Sequence, residues 1–128
     1  MPKPEVVHTD GVTVVTFGQG TVLDESAMAE LKCIQHSVEE REPPRMVIDL
    51  ESISIIDSAF RTFLQELNQG LRFQIGGKLG ICHASARCRD MLSRSTHALP
   101  LEVFETREAA VEAYTEGIDH SANRRKPN

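Results

Sequence analysis

Five residues, Met46-Val47-Ile48-Asp49-Leu50, constrain the fold more than any other stretch of the chain. They follow the pair Pro43-Pro44, which ends one helical pattern, and precede a second helical pattern that opens at Asp57-Ser58. So short and apolar a run lacks the alternation of a strand with one wet face and reads as a strand buried on both faces. Strands of that kind sit inside largely parallel sheets with helices on either side.

The flanking segments fit that frame. Val6 to Thr9 and Val12 to Phe17 surround Asp10-Gly11, a strong hairpin signal, so the chain opens with two antiparallel strands. Gly18 to Gly20 breaks the second strand, and Asp24 with Glu25 behind it marks a helix start. Ala27, Leu31, Ile34 and Val38 then fall on one helical stripe. From Ser58, the residues Phe60, Phe63, Leu64, Leu67 and Leu71 form a second stripe, with Gly70 inside it. Gly76-Gly77 turns into a strand at Lys78 to Cys82, and a helix over about residues 85–95 places Cys88 and Leu92 on one face. After Pro100 comes a short strand, Leu101 to Phe104. Thr106 caps a last helix offering Ala109, Ala110, Ala113 and Tyr114 for packing.

The order ββαβαβαβα predicts one α/β domain: a mixed, mostly parallel sheet with an N-terminal antiparallel hairpin, flanked by about four helices. The domain is expected over residues 1–118, with a disordered basic tail at 119–128.

Composition narrows the function. With 128 residues, 40% hydrophobic and 26% charged, the chain suits one soluble domain with one core. Its net charge is −5, and the basic cluster Arg124-Arg125-Lys126 leaves the body more acidic still. An acidic body without tryptophan argues against direct nucleic-acid binding. No apolar run is long enough for a membrane span, and the N-terminus lacks the apolar stretch of a signal peptide. Cys33, Cys82 and Cys88 form an odd set without C-x-x-C spacing, which fits reduced thiols in the cytoplasm.

The residues that carry chemistry lie where the second helix begins. A serine hydroxyl there meets free backbone N–H groups and the positive end of the helix dipole, so Ser58 suits a phosphoryl group. The plainer reading of Ser58 is a helix N-cap.

This element order, and the stretch V-I-D-L-E-S-I-S-I-I-D-S, resemble the STAS domain of bacterial anti-sigma-factor antagonists. The resemblance continues through Gly76-Gly77 and Val103-Phe104-Glu105-Thr106-Arg107-Glu108-Ala109-Ala110, covering roughly residues 6–116. It implies a non-enzymatic regulatory protein without a cofactor, whose partner is an anti-sigma factor that is also a serine kinase. It further implies that phosphorylation of Ser58 breaks the complex and that a phosphatase resets it. Partner contacts are expected at Asp57, Ser58, Ala59, Phe60, Arg61, Ile55 and Asp24, with Ile53 and Ile56 as further apolar anchors. Where the family commonly continues Asp-Ser with Ser or Thr and then Gly-Leu-Gly, this chain has Ala59, Phe60, Arg61 and Thr62. The alternative keeps the fold without the switch, as an interaction module or a site for a small anion or nucleotide.

Other chemistries are poorly supported. A phospho-aspartate receiver needs an acidic pair after its first strand and a lysine after its last, and the chain has His8-Thr9-Asp10 and Glu105-Thr106 there. No G-x-S-x-G elbow surrounds Ser58, so a hydrolase with His83 or His97 as base is not indicated. Cys82, His83 and Cys88 lack a second ligand pair for structural zinc. Gly76-Gly77-Lys78 precedes a strand, unlike a phosphate loop. Asp49 is expected as a strand-end acceptor, His83 as a loop residue at a strand end, and Arg87, Arg89 and Arg94 as a solvated helix face.

Overall fold

The computed structural model describes residues 4–19, 23–93 and 101–115. Strands β1 (Glu5–Thr9) and β2 (Val12–Thr16) form the expected hairpin, with Thr9 opposite Val12 and Glu5 opposite Thr16. Asp10 and Gly11 close it with φ of 53° and 83°, the double positive φ that a two-residue turn of this hand requires. β3 (Arg45–Asp49), β4 (Lys78–Cys82) and β5 (Glu102–Phe104) continue the sheet in parallel from β2, in the order β1-β2-β3-β4-β5. Every residue of β3 is buried, the apolar Met46, Val47 and Ile48 as well as the charged Arg45 and Asp49 at its ends.

Helices α1 (Glu25–Glu39), α2 (Ser58–Phe73) and α3 (Ala86–Ser93) cover one face of the sheet. Val15, Phe17, Met46, Ile48, Leu79 and Ile81 project there and meet Leu31 and Val38 from α1, Leu64, Leu67 and Leu71 from α2, and Leu92 from α3. The alternate positions Val12, Val14, Val47 and Cys82 point the other way. Helix α4, residues 107–115, covers them with Ala110 and Tyr114.

Three sequence expectations shift in detail. β3 starts one residue early, because Arg45 is itself buried and spends its guanidinium on backbone carbonyls: Nε donates to Gly76 at 2.9 Å and Nη1 to Tyr114 at 2.7 Å. On α4 Ala110 and Tyr114 pack inward with Val111 partly buried beside them, while Ala109 and Ala113, on a neighbouring helical stripe, stay exposed. Helix α2 buries Gln65 and Asn68 beside its leucines, so its inward face is wider than the apolar pattern alone suggested.

The turn before β4 needs its glycines. Gly76 has φ of 76°, and a Cβ on Gly77 would lie 1.7 Å from the Leu71 carbonyl oxygen. Among the described residues no helix is long and apolar enough to cross a membrane. The expected tail at 119–128, with Arg94 and Pro100, lies outside the described residues.

Candidate functional site

Strands β2 to β5 run parallel, so the helix that follows each of them starts at the same edge of the sheet. Each start is capped by a side-chain oxygen. Asp24 accepts from the Ala27 N–H at 3.1 Å, Asp57 from Phe60 at 2.8 Å, Ser85 from Cys88 at 3.2 Å and Thr106 from Ala109 at 3.1 Å. Four helix N-termini, each carrying about half a positive charge, therefore converge on this one edge.

Asp57, and not Ser58, is the N-cap of α2, with extended backbone and its carbonyl receiving the Arg61 N–H at 3.0 Å. The cap reading of Ser58 is corrected accordingly: Ser58 is the first helical residue, exposed, and its hydroxyl is not consumed by the capping bond. Ala59 beside it is also exposed.

The approach to Ser58 is held in place. After β3, Leu50 donates its N–H to Cys82 at 2.9 Å and Glu51 donates to Asp49 Oδ1 at 2.9 Å. Ile53 and Ile56 turn into the core, leaving Ile55, 59% exposed, as the apolar side chain of the loop that a partner can reach. Ser85 Oγ donates to the Ser54 carbonyl at 3.0 Å, and the Cys88 thiol sits 3.8 Å from the Ile53 carbonyl, so α3 pins the loop from the side.

Of the expected contact residues, Ile53, Ile56 and Phe60 are buried and Arg61 is half-buried. Phe60 is fully buried and stacks at a tilt on Phe63, ring centroids 6.0 Å apart, so it supports α2 from below instead of meeting a partner. Its apolar bulk at the third helical position falls on the inward stripe, and burial wins. Arg61 is half-buried, with Nη1 3.5 Å from the Met91 sulfur on α3, and keeps its charge at the rim of the Ser58 surface. Asp24 lies at the same edge as the cap of α1 and is exposed. Residues 20–22 of the loop before it are outside the described residues.

Behind this surface lies a polar network that the sequence reading did not assemble. Asp49 is buried, and its Oδ2 receives Arg107 Nη2 at 3.1 Å while the same Nη2 donates to Thr16 Oγ1 at 2.8 Å. On the other oxygen, Oδ1, His83 Nδ1 lies 3.1 Å away. Asp49 had been anticipated as an acceptor at a strand end, and His83 as a loop residue. Arg107 was the unseen member, 58 positions from Asp49 in the chain and with no local signal to pair them. Burial first and the Asp49 charge second push the neighbouring Cys82 thiol up to about 12.

A model of the STAS domain family matches residues 3–110, most of the chain, and the protein belongs to that family. No curated protein matches the chain by sequence. Among solved structures, an anti-sigma-factor antagonist (STAS) domain protein from Planctomyces limnophilus is 21% identical, with a TM-score of 0.74 over 89% of this chain and 98% of that one. RsbS of Moorella thermoacetica, carrying a serine-to-glutamate substitution, is 12% identical with a TM-score of 0.74, over 92% and 99% of the two chains. The Bacillus cell fate determinant SpoIIAA in its phosphorylated form is 17% identical with a TM-score of 0.61, over 86% and 97%. Likeness at these identities establishes the common fold: a five-stranded mixed sheet with helices on both faces.

Proposed function

We propose that this protein is a cytoplasmic, non-enzymatic anti-sigma-factor antagonist. It binds an anti-sigma factor with serine kinase activity, and phosphorylation of Ser58 releases it. The single observation that carries this reading is the placement of Ser58: exposed, first in α2, outside the capping bond, and flanked by exposed Asp57 and Ala59. A phosphoryl group there gains from the helix N-terminus and leaves the core untouched, while it adds charge and bulk to whatever docks beside Ile55 and Ala59. Two of the structural neighbours are described as an antagonist and as a phosphorylated form, which is consistent with this assignment. A phosphatase that removes the group would complete the cycle.

The test uses the wild-type chain and Ser58→Asp as baits in extract from the native cell. Capture of an ATP-binding serine kinase by the wild type alone, and transfer of phosphate from ATP to Ser58 as located by mass spectrometry, is the expected result. Equal capture on both baits with no phosphate at Ser58 would leave a binding module that this serine does not control.

A further inference from the structure

At the C-terminal edge of the sheet, on the face covered by α4, three metal-binding side chains meet. Asp49 ends β3, Cys82 ends β4 directly opposite it in register, and His83 follows in left-handed backbone with φ of 57°. One donor atom from each lies within 4.8 Å of the others. Residues paired across two strands point to the same side of the sheet, so Asp49 and Cys82 are brought together by the fold itself. The left-handed conformation at His83 is uncommon for a residue with a Cβ, and it accompanies a ring folded back onto Asp49.

We propose that Asp49, Cys82 and His83 bind one transition-metal dication of the zinc class, with Glu51 supplying the fourth ligand. A mixed sulfur, nitrogen and oxygen donor set favours such ions over magnesium or calcium, which take oxygen ligands. Tetrahedral bonds of 2.0–2.3 Å would place the donors about 3.5 Å apart, so the present spacing needs only small side-chain rotations to close. Glu51 Oε1 is already 4.0 Å from His83 Nδ1, on a side chain that is 71% exposed and can swing inward.

Arg107 does not compete for the site. It holds Asp49 by Oδ2, and the ion takes Oδ1, the oxygen that faces His83. The hydrogen bonds from Arg107 orient the ligating carboxylate, as outer partners do in metal sites. Charge balances as well: the dication and the guanidinium offset Asp49, Glu51 and the Cys82 thiolate. On binding, the thiol proton leaves to solvent as the sulfur–metal bond forms, and His83 coordinates through Nδ1 with its own proton on Nε2.

Titration of the purified full chain with Co²⁺, followed by Zn²⁺, tests this. One equivalent of Co²⁺ should produce a near-ultraviolet sulfur-to-metal charge-transfer band with visible bands of a four-coordinate ion, and Zn²⁺ should displace them. Cys82→Ser should abolish the near-ultraviolet band. His83→Gln, at a partly exposed position that the core does not need, should weaken Co²⁺ affinity by about tenfold or more. Cys33→Ser, which alters the exposed thiol, should change neither. No band at stoichiometric Co²⁺, a band that vanishes with Cys33→Ser, or an affinity indifferent to His83→Gln would overturn the assignment.

Discussion

The Arg45 guanidinium donates to the backbone carbonyl of Tyr114 at 2.7 Å, joining the first residue of β3 to the last turn of the described α4. At the other end of the same strand, Asp49 holds Arg107 in the first turn of that helix. A single strand thus anchors α4 at two points, the Asp49 carboxylate at its N-terminus, where a negative charge suits the dipole, and the Arg45 guanidinium at its last described turn.

Arg45→Ala should therefore loosen α4 selectively. It strands the Gly76 and Tyr114 carbonyls and should cost about 3 kcal/mol, the range for two lost hydrogen bonds from a charged donor. Urea unfolding measures the total, and hydrogen exchange should show residues 107–115 losing protection before β3 or α2.

Arg107→Ala leaves the Asp49 carboxylate buried without its cation. A loss of about 2 kcal/mol is expected, tempered by the partial exposure of Arg107. Pairing the change with Asp49→Asn should restore part of the loss, because the uncompensated charge is then gone. A double-mutant cycle in urea reads the coupling.

The division of labour at the start of α2 separates two neighbouring residues. Asp57→Ala removes the bond to the Phe60 N–H and should cost about 1 kcal/mol. Ser58→Asp puts a negative charge in the first turn and should leave stability unchanged or raise it by about 0.5 kcal/mol. Thermal melts of both variants decide. If Ser58→Asp were the more damaging change, Ser58 would be a structural residue and its regulatory role would be lost.

Tyr114 gives a pH prediction with a clean signal, because it is the one tyrosine in the chain. Burial, then the hydrogen bond to Glu102, raises its phenol above the ordinary 10.0. A folded pKa above the unfolded one means a contribution that is complete below pH 10 and is lost progressively as pH rises from there towards the raised folded value. Tyrosinate absorbance should therefore stay flat beyond pH 10 and then rise together with unfolding. A smooth titration near pH 10 with the fold intact would contradict the burial.

Periodicity made most of the fold legible. The two-face burial of β3, the stripes of α1 and α2 and the Asp10-Gly11 hairpin each follow from local spacing, and local spacing is visible in one dimension. What stayed hidden was pairing across the sheet. Nothing near Arg45 announces a carbonyl 69 residues away, and nothing near Asp49 names Arg107. At the candidate site, Ser58 and Asp57 were legible because a helix start has a signature. The capping role went to the neighbour because Asp and Ser both accept the same N–H bond. Phe60 was ambiguous in sequence, since a helix's third residue faces inward or outward according to how the entering chain is aimed, and Ile53 and Ile56 do the aiming.

Because Ser58 lies outside both the core and the cap, a group attached to it asks no packed side chain to move. The modified and unmodified chains would share one fold and differ at one patch of surface. The speed of changing from one to the other would then be set by the enzymes that add and remove the group, and not by any folding step. Such a chain could pass through many cycles without exposing its interior to aggregation or proteolysis.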